Sequence, residues 1–573
     1  MKKIKILFNL LSKKEKKIMF FIFLLAIVSS LLEVFSIAAI IPVISSVFVS
    51  TESIQDVKIF SFFKKLTNFF DDQDSLNASL YFFLAAFILK NMYLILFVYI
   101  KNKYLNSINF RVSKDLLKKY LSLPFQFLLN NNSIKLVKNV EEVNTCISYV
   151  ENLILIYTEI LLLLIFLIFL SQVNFEMVAY SIIFVFLFSI ILKLLTSKKI
   201  KAIGSERFFA SRLKASSLVE IFQIYKEIKI YKKELFFTNI FDRNNRNEIN
   251  AQLKFNMFDI FPKIYFEILF VILILFFLTF LKMENMSSSS VVLIMGIFAA
   301  SAYRIMPAIN RLFKSFQILK YTYPALKLIH DHLNLDIDLN EDLKIIKKEE
   351  VEPLKFNNNF EVKNLFFSYN NSEIKVLKNI NFSFSEGKVS GILGSSGSGK
   401  STLLNLITGF LSPVSGQILS NNNSIFSDMA SWRSNLGYVS QDSAILNTTI
   451  VENIALGIEK EKIDNKKIKK VLELTNLSKF VNDLPKGINT NCGEKGNNIS
   501  GGQKQRLCIA RALYFEPKIL ILDEATNSLD KLTEKEILEE IVKFKDKTKI
   551  VMITHDPDII KYFDETLNLN EQY

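Results

Sequence analysis

The residues best suited to chemistry in this chain form one short run, Gly394-Ser395-Ser396-Gly397-Ser398-Gly399-Lys400-Ser401. Glycines let successive backbone N–H groups turn inward. A helix that starts where the turn ends adds its own unsatisfied N–H groups and dipole. The run follows the apolar stretch Val389–Leu393 and precedes a helix-like stretch over 402–410. Strand, glycine turn and helix start are the order of a P-loop, whose amides, through Thr402, cradle a polyphosphate. Lys400 is then placed to reach the β- and γ-phosphates, and the Ser401 hydroxyl to complete a Mg2+ shell.

A second constellation fits the same chemistry. The apolar run from Ile519 to Leu522 ends in Asp523-Glu524. That is a buried strand presenting two carboxylates, one to hold Mg2+ through water (Asp523) and one to polarise an attacking water as general base (Glu524). Between the two lies Ile499-Ser500-Gly501-Gly502-Gln503, which opens a helical stretch over 504–513. The elements that position these groups are short β-like runs at 360–369, 389–393, 519–523 and 549–554, alternating with helical segments. Such alternation predicts an α/β nucleotide-binding domain.

The other half of the chain is built for a different solvent. Of 573 residues 50% are apolar and 53 are Phe, and before residue 320 they collect in runs long enough to cross a bilayer. Spans are predicted at 18–48, 78–100, 147–170, 175–195, 261–281 and 291–313. Lysines before the first span place the N-terminus in the cytoplasm. Short links at 171–174 and 282–290 make outer hairpins, and long basic excursions at 101–138 and 198–259 lie inside, leaving both termini cytoplasmic. The first apolar stretch is too long for the core of a signal peptide, so no cleavable leader is expected. Residues 59–70 carry apolar groups at helical spacing, which suits an amphipathic helix on the outer surface or a lid on the bundle. The net charge of +14 sits largely in loops beside apolar segments, which positive-inside topology explains without a nucleic-acid partner. Cys146, Cys492 and Cys508 show neither paired nor metal-ligand spacing.

Taken together, the motifs resemble the ATP-binding cassette (ABC) proteins: the P-loop, the Ile499–Gln503 signature and the Asp523-Glu524 pair stand in the family's order. The resemblance implies further roles. Tyr369 corresponds to the aromatic that stacks on adenine, Gln441 to the Q-loop residue that touches Mg2+ and the attacking water, Asp530 with Ser528 and Leu529 to the D-loop, and His555 to the switch histidine. Thr490-Asn491-Cys492-Gly493-Glu494-Lys495-Gly496 is similar to the X-loop of exporters. The implied architecture is an α-helical six-helix transmembrane domain of the type IV exporter kind (1–320), a linker (321–355, with a charged stretch at 341–352) and an α/β cassette domain (356–573). One cassette per chain implies a homodimer whose ATP sites each take the P-loop of one chain and Ser500, Gly501, Gly502 and Gln503 of the other. Coupling helices are implied near 125–130 and 222–229.

Intramembrane cations bear on cargo, because an ionised group at that depth must be paired, hydrated or snorkelling. Lys90 falls near the middle of the second span, Arg304 and Arg311 lie two turns apart on the sixth, and Lys263 starts the fifth. Lys90 or Arg304 can pair with Glu33 or Glu267, or the cations can line a cavity for an anionic head group. The segments 301–311 and 262–267 resemble PglK-type lipid-linked oligosaccharide flippases, except that lysine replaces arginine at two matching places. That resemblance implies an ATP-driven flippase of a polyprenyl-diphosphate-linked oligosaccharide in the bacterial inner membrane. Its alternatives are an exporter of another amphiphile (lipid, lipopolysaccharide precursor or peptide) and an ATP-gated channel or regulatory subunit without turnover.

Overall fold

A computed structural model describes residues 2–39, 43, 75–283, 288–335, 359–369, 375–442, 444–526, 529–554 and 556–572. The expected amphipathic segment at 59–70, the charged stretch at 341–352, Ser528 and His555 lie outside the described residues. The chain divides into two units, residues 1–121 with 131–336 and residues 122–130 with 337–573.

The first unit is helical. After α1 (Lys2–Leu10), Ser12 caps α2 (Lys13–Ala38) through a capping box in which Ser12 Oγ accepts from the Glu15 N–H and Glu15 Oε2 from the Ser12 N–H. Two orphan donors are thereby satisfied where the charged run meets the apolar one. Arg111, on α3 (Ser75–Leu121), forks onto both Glu15 oxygens at 2.6 and 2.8 Å and ties the two helices at that end. The short α4 (Phe125–Asn130) follows, then α5 (Ser133–Glu141) and α6 (Val143–Ser171). Asn174 closes the predicted hairpin by accepting from the Met177 N–H at the start of α7 (Phe175–Gln223). Next come α8 (Tyr225–Ile230), α9 (Glu234–Met283), α10 (Ser288–Tyr321) and α11 (Tyr323–Leu333). Among the described residues five helical stretches are long and apolar enough to cross a membrane; they carry the second to fifth predicted spans and the first as far as Ala38, its remainder lying largely outside the described residues. The sixth falls on α10, part of whose side chains lie outside the described residues. Leu84, Ile88, Leu89, Met92 and Ile95 of α3 are exposed, as suits a face solvated by lipid rather than water.

The second unit holds two sheets. An antiparallel sheet has strand order β2-β1-β4-β5, from β1 (Phe360–Phe367), β2 (Leu377–Phe384), β4 (Ser415–Ser420) and β5 (Asn423–Ser424). A parallel sheet has order β6-β7-β8-β3-β9, from β3 (Val389–Leu393), β6 (Leu436–Val439), β7 (Ile519–Asp523), β8 (Lys549–Ile553) and β9 (Glu565–Asn568). Every residue of β7 and β8 is buried, which is why their sequences run apolar rather than alternating. Of the two exceptions, Asp523 ends β7, and Lys549 is fully buried and bonded to the carbonyls of Ser385 and Lys388 and, at 2.7 Å, to Glu565 Oε1. Helices α12 (Lys400–Ile407), α13 (Met429–Ser434), α14 (Ile450–Ile454), α15 (Asn465–Leu474), α16 (Ser478–Asn482), α17 (Gly501–Tyr514), α18 (Lys531–Val542) and α19 (Pro557–Ile560) complete the unit. The antiparallel sheet is the part that the sequence reading did not anticipate.

Candidate functional site

The C-terminal end of a parallel strand faces open space, and a loop that leaves it for a helix can present its backbone to a ligand. Here β3 ends at Leu393, the Gly394–Gly399 loop turns, and α12 begins at Lys400. Gly397 and Gly399 have φ of 84° and 97°, the left-handed region that a side chain strains, so glycine is needed for the turn. A Cβ at Gly394 would come within 2.4 Å of Ser398 Oγ. That hydroxyl is buried and has no partner among the described residues. Lys400 is also buried, and its ammonium bonds to the carbonyls of Gly394 and Ser395 at 2.8 and 2.9 Å, folded back over the loop. Burial lowers its pKa while the Glu524 and Asp523 carboxylates oppose the shift. A glycine turn at the start of a helix, an orphaned buried hydroxyl and a lysine folded back onto the loop carbonyls together fit a polyphosphate.

Two strands away, β7 delivers Asp523 and Glu524 to the same edge. Tyr438, at the end of β6, donates its hydroxyl to Asp523 Oδ2 at 3.3 Å. Burial raises the Asp523 pKa, Glu524 adds to the rise, and the Tyr438 hydrogen bond and Lys400 counter it. The same surroundings push the Tyr438 hydroxyl up to about 12, burial being the largest cause. A buried carboxylate that Lys400 compensates only in part suits a divalent cation. Glu524 itself has φ of 47°, unusual for a residue with a side chain, and its N–H donates to the Ile553 carbonyl of β8. The strained turn aims its carboxylate back at Gln441, whose Nε2 donates to Glu524 Oε2 at 2.8 Å. Gln441 and Glu524, 83 residues apart in sequence, thus meet as a water-positioning pair would.

The remaining predicted residues divide between this edge and other surfaces. The Tyr369 hydroxyl lies 3.1 Å from Thr402 Oγ1 and the ring stands edge-on to Phe367, so the side chain roofs the start of α12. Ser500 caps α17 through a second capping box with Gln503, leaving Ser500 and Gly501 exposed at the N-terminus of a 14-residue helix, an arrangement suited to an anion. Asp530 caps α18 by accepting from the Thr533 N–H, which holds its carboxyl below the usual range. The sequence reading passed over two residues here: Tyr438, and Asn570, which accepts from both the Ser395 N–H and hydroxyl at 3.0 Å. Only tertiary structure places them, since each lies on another element.

The C-terminal end of α12 carries a second cluster. The buried Trp432 and half-buried Arg433 of α13 donate to the carbonyls of Ile407, one of the groups that a helix end leaves unsatisfied, and of Gly409 just beyond it. Arg433 lies over the Phe410 ring at 5.1 Å, and Phe125 of α4 meets the same ring at 5.3 Å. The expected coupling segment at 125–130 is therefore a helix grouped with the second unit. The one expected near 222–229 holds α8, where Phe222, Tyr225, Ile230 and Tyr231 are exposed.

Within the helical unit the four membrane cations separate. Lys263 is exposed beside Pro262, and Lys90 is half-buried with its ammonium 4.9 Å from the Phe87 ring. Both α10 arginines are paired: Arg304 with Glu33 of α2, and Arg311 with Glu159 of α6, where Nε and Nη2 reach the two oxygens at 2.5 and 3.0 Å. Of the two partners, Glu159 was not foreseen, although an ionisable residue inside the apolar run 147–170 was a signal in plain view. Between α6, α7, α9 and α10 lies a cavity of about 640 Å³ lined almost wholly by apolar side chains, among them Phe184, Phe270, Phe277, Phe298 and Met306.

Residues 377–527 match a protein family described as ABC transporter. Curated relatives include the chloroplastic ABC transporter B family member 29 of Arabidopsis thaliana, 33% identical over 273 residues (48% of this chain, 42% of the relative). Another is the multidrug resistance-like ATP-binding protein MdlA of Buchnera aphidicola, 36% identical over 258 residues (45% of this chain, 43% of the relative). The chain thus spans less than half the length of these relatives. A solved bacterial Atm1-family ABC exporter with ATP bound is 19% identical, superimposes with a TM-score of 0.78 and is matched over 96% of this chain and 94% of its own. The class is therefore that of the ABC exporter fold: a bundle of membrane-length helices joined to one ABC transporter cassette.

Proposed function

We propose that this chain is an ATP-hydrolysing half-exporter that works as a homodimer in a bacterial inner membrane. Its cargo is an amphiphile with an anionic head group, in the first place a polyprenyl-diphosphate-linked oligosaccharide flipped from the cytoplasmic to the outer leaflet. The hydrogen bond between Gln441 and Glu524, beside a P-loop with an orphaned buried Ser398, is the observation that carries the ATPase reading. Amides from Gly394 to Thr402 and Lys400 bind the phosphates of ATP, and Tyr369 swings from Thr402 to cover adenine. Mg2+, held by Ser401, Gln441 and Asp523, supplies positive charge to the phosphates. Glu524 takes a proton from the attacking water, whose oxygen replaces ADP on the γ-phosphorus, and His555 steadies that phosphate. Ser500, Gly501, Gly502, Gln503 and Asp530 complete the site of the opposite chain, so hydrolysis releases the two cassettes. The transmembrane domain of this half-exporter spans 1–320, its linker 321–355 and its cassette 356–573.

The cargo reading rests on Arg304 and Arg311, two guanidiniums on one helix in a membrane unit, whose fork suits phosphate oxygens. Lys90 and Lys263 add charge without a fork. In proteoliposomes, the wild type should move a polyprenyl-diphosphate-linked oligosaccharide to the opposite leaflet with ATP. A rate no higher than that of Glu524→Gln would rule the flippase out. A second reading, export of another amphiphile such as a phospholipid or lipopolysaccharide precursor, is favoured by the apolar cavity, which can enclose hydrocarbon. Stimulation of ATP hydrolysis by each candidate cargo separates the two. Absence of vanadate-sensitive hydrolysis would support a channel or regulatory subunit instead.

A further inference from the structure

We propose that Glu33 and Glu159 are resident counter-ions of the cargo path: they hold Arg304 and Arg311 in the cargo-free protein and give them up to the phosphate-bearing head group of a lipid. The inference rests on the anionic-cargo reading above and adds the residues that would set selectivity and release.

Accessibility differs across each pair. The carboxylate side chains are 9% and 8% exposed, whereas the arginine side chains they meet are 28% and 40% exposed. A ligand can therefore reach the guanidiniums but not the carboxylates. Arg311 spends two of its five donors on Glu159 and keeps three for another acceptor.

Buried polar groups on the same helix point the same way. Ser301, one turn from Arg304, is fully buried with its hydroxyl unpartnered among the described residues, and Gln317 is 2% exposed with both amide atoms unpartnered. Buried hydroxyls and amides are ordinarily satisfied, so the unpartnered Ser301 hydroxyl next to Arg304 marks a place that water entering with the cargo can fill.

The electrostatics makes the exchange reversible. An arginine in a membrane helix needs an anion in every state, because a medium of low dielectric penalises a bare charge. Swapping a carboxylate for a phosphate keeps each guanidinium compensated on loading, the water that enters with the head group solvates the freed carboxylate, and return of the carboxylate to the arginine compensates both again on release. Since Glu33 lies on α2 and Glu159 on α6, the swap also frees α10 from two helices at once. The carboxylates compete with cargo, and an anion too weak to displace them is rejected.

The test uses the full-length protein in phosphatidylcholine nanodiscs with a photoreactive polyprenyl diphosphate. Labelling is read only on peptides from residues 1–335, so that binding at the P-loop does not count. Removing a competitor should lower the half-saturating concentration about tenfold in Glu159→Gln and in Glu33→Gln, and Arg311→Gln should abolish labelling. Glu159→Asp, which keeps the charge but shortens the fork, should give a smaller shift and stands in if the Gln variant does not fold. A wild type that labels, with no tightening in these variants, overturns the counter-ion inference and leaves the cargo reading standing. Failure of the wild type and of the Glu33 and Glu159 variants to label overturns the anionic-cargo reading itself. Displacement of the label by equimolar inorganic pyrophosphate would show that a free anion suffices and remove the lipid from the proposal. Displacement only by unlabelled polyprenyl diphosphate supports it.

Discussion

Two carboxylates adjacent in sequence occupy unlike surroundings in the cassette, and their variants should differ accordingly. Glu524 meets Gln441 and is assigned the proton transfer. Glu524→Gln should cut phosphate release by about 10² to 10⁴-fold with ATP binding retained, as measured by steady-state hydrolysis beside nucleotide binding. Asp523 is buried, and burial raises its pKa. A carboxyl whose folded pKa exceeds its unfolded value stabilises the fold below the unfolded pKa and loses that contribution as pH climbs through the folded one. Ionised Asp523 is thus a cost to the nucleotide-free cassette at neutral pH. Asp523→Asn should raise the thermal midpoint of nucleotide-free protein at pH 7, with the gain fading towards about pH 4, and should abolish Mg2+-dependent hydrolysis. An unchanged midpoint at pH 7 would contradict the burial argument. At this scale the sequence was informative where spacing carries the placement, as with Lys400 at the start of the helix after the glycine turn and Asp523-Glu524 at the end of a buried strand. It was silent where a role depends on a neighbour from elsewhere, as with Tyr438 and Asn570.

Among the elements, the strands at 389–393 and 519–523 and the hairpin turn at 171–174 were legible because long apolar runs and short polar joints admit few conformations. The antiparallel sheet was not. Only its first strand was read, as the β-like run at 360–369; the neighbouring β2 buries Leu377, Ile380 and Phe384, spaced by three and four rather than two, so the alternation that marks a half-buried strand is broken there. Close approaches between elements escape sequence reading for a similar reason. A Cβ at Gly204 of α7 would lie 2.5 Å from the Tyr321 carbonyl oxygen at the end of α10. Gly204→Ala should destabilise the helical unit by about 1–3 kcal/mol by forcing the two helices apart, visible as a lower melting temperature in detergent with hydrolysis chemistry intact. In the second unit, Phe125→Ala and Phe410→Ala break the ring contact between α4 and the end of α12. Each should leave basal ATP hydrolysis within about twofold, while transport in proteoliposomes falls about tenfold or more, a loss of about 1.4 kcal/mol or more in coupling. Parallel losses of both activities would assign the contact to stability alone.

For the whole molecule, the exposed Ser500 and Gly501 at the start of α17 are half of a site in the homodimer reading. Lys400→Ala and Ser500→Arg should each be inactive alone. Mixed dimers carrying one change per chain regain one intact site, formed by the P-loop of the Ser500→Arg chain and the signature of the Lys400→Ala chain. Measurable hydrolysis on co-expression is expected, about a quarter of the wild-type rate if the chains pair at random and the two sites turn over independently, and about half for purified mixed dimers. No recovery would argue that both groups act within one chain. The sequence by itself determined the local chemistry and the two solvents: a glycine loop before a helix, two carboxylates after an apolar strand, and helices too apolar for water, because these follow from residue type and spacing along a few turns. Only the tertiary structure decided which distant groups meet. It brought Gln441 to Glu524 and Tyr438 to Asp523, and it neutralised Arg304 and Arg311 with Glu33 and Glu159. The physical reason is that charge compensation in a low-dielectric interior depends on distances across the fold, which spacing along the chain does not encode.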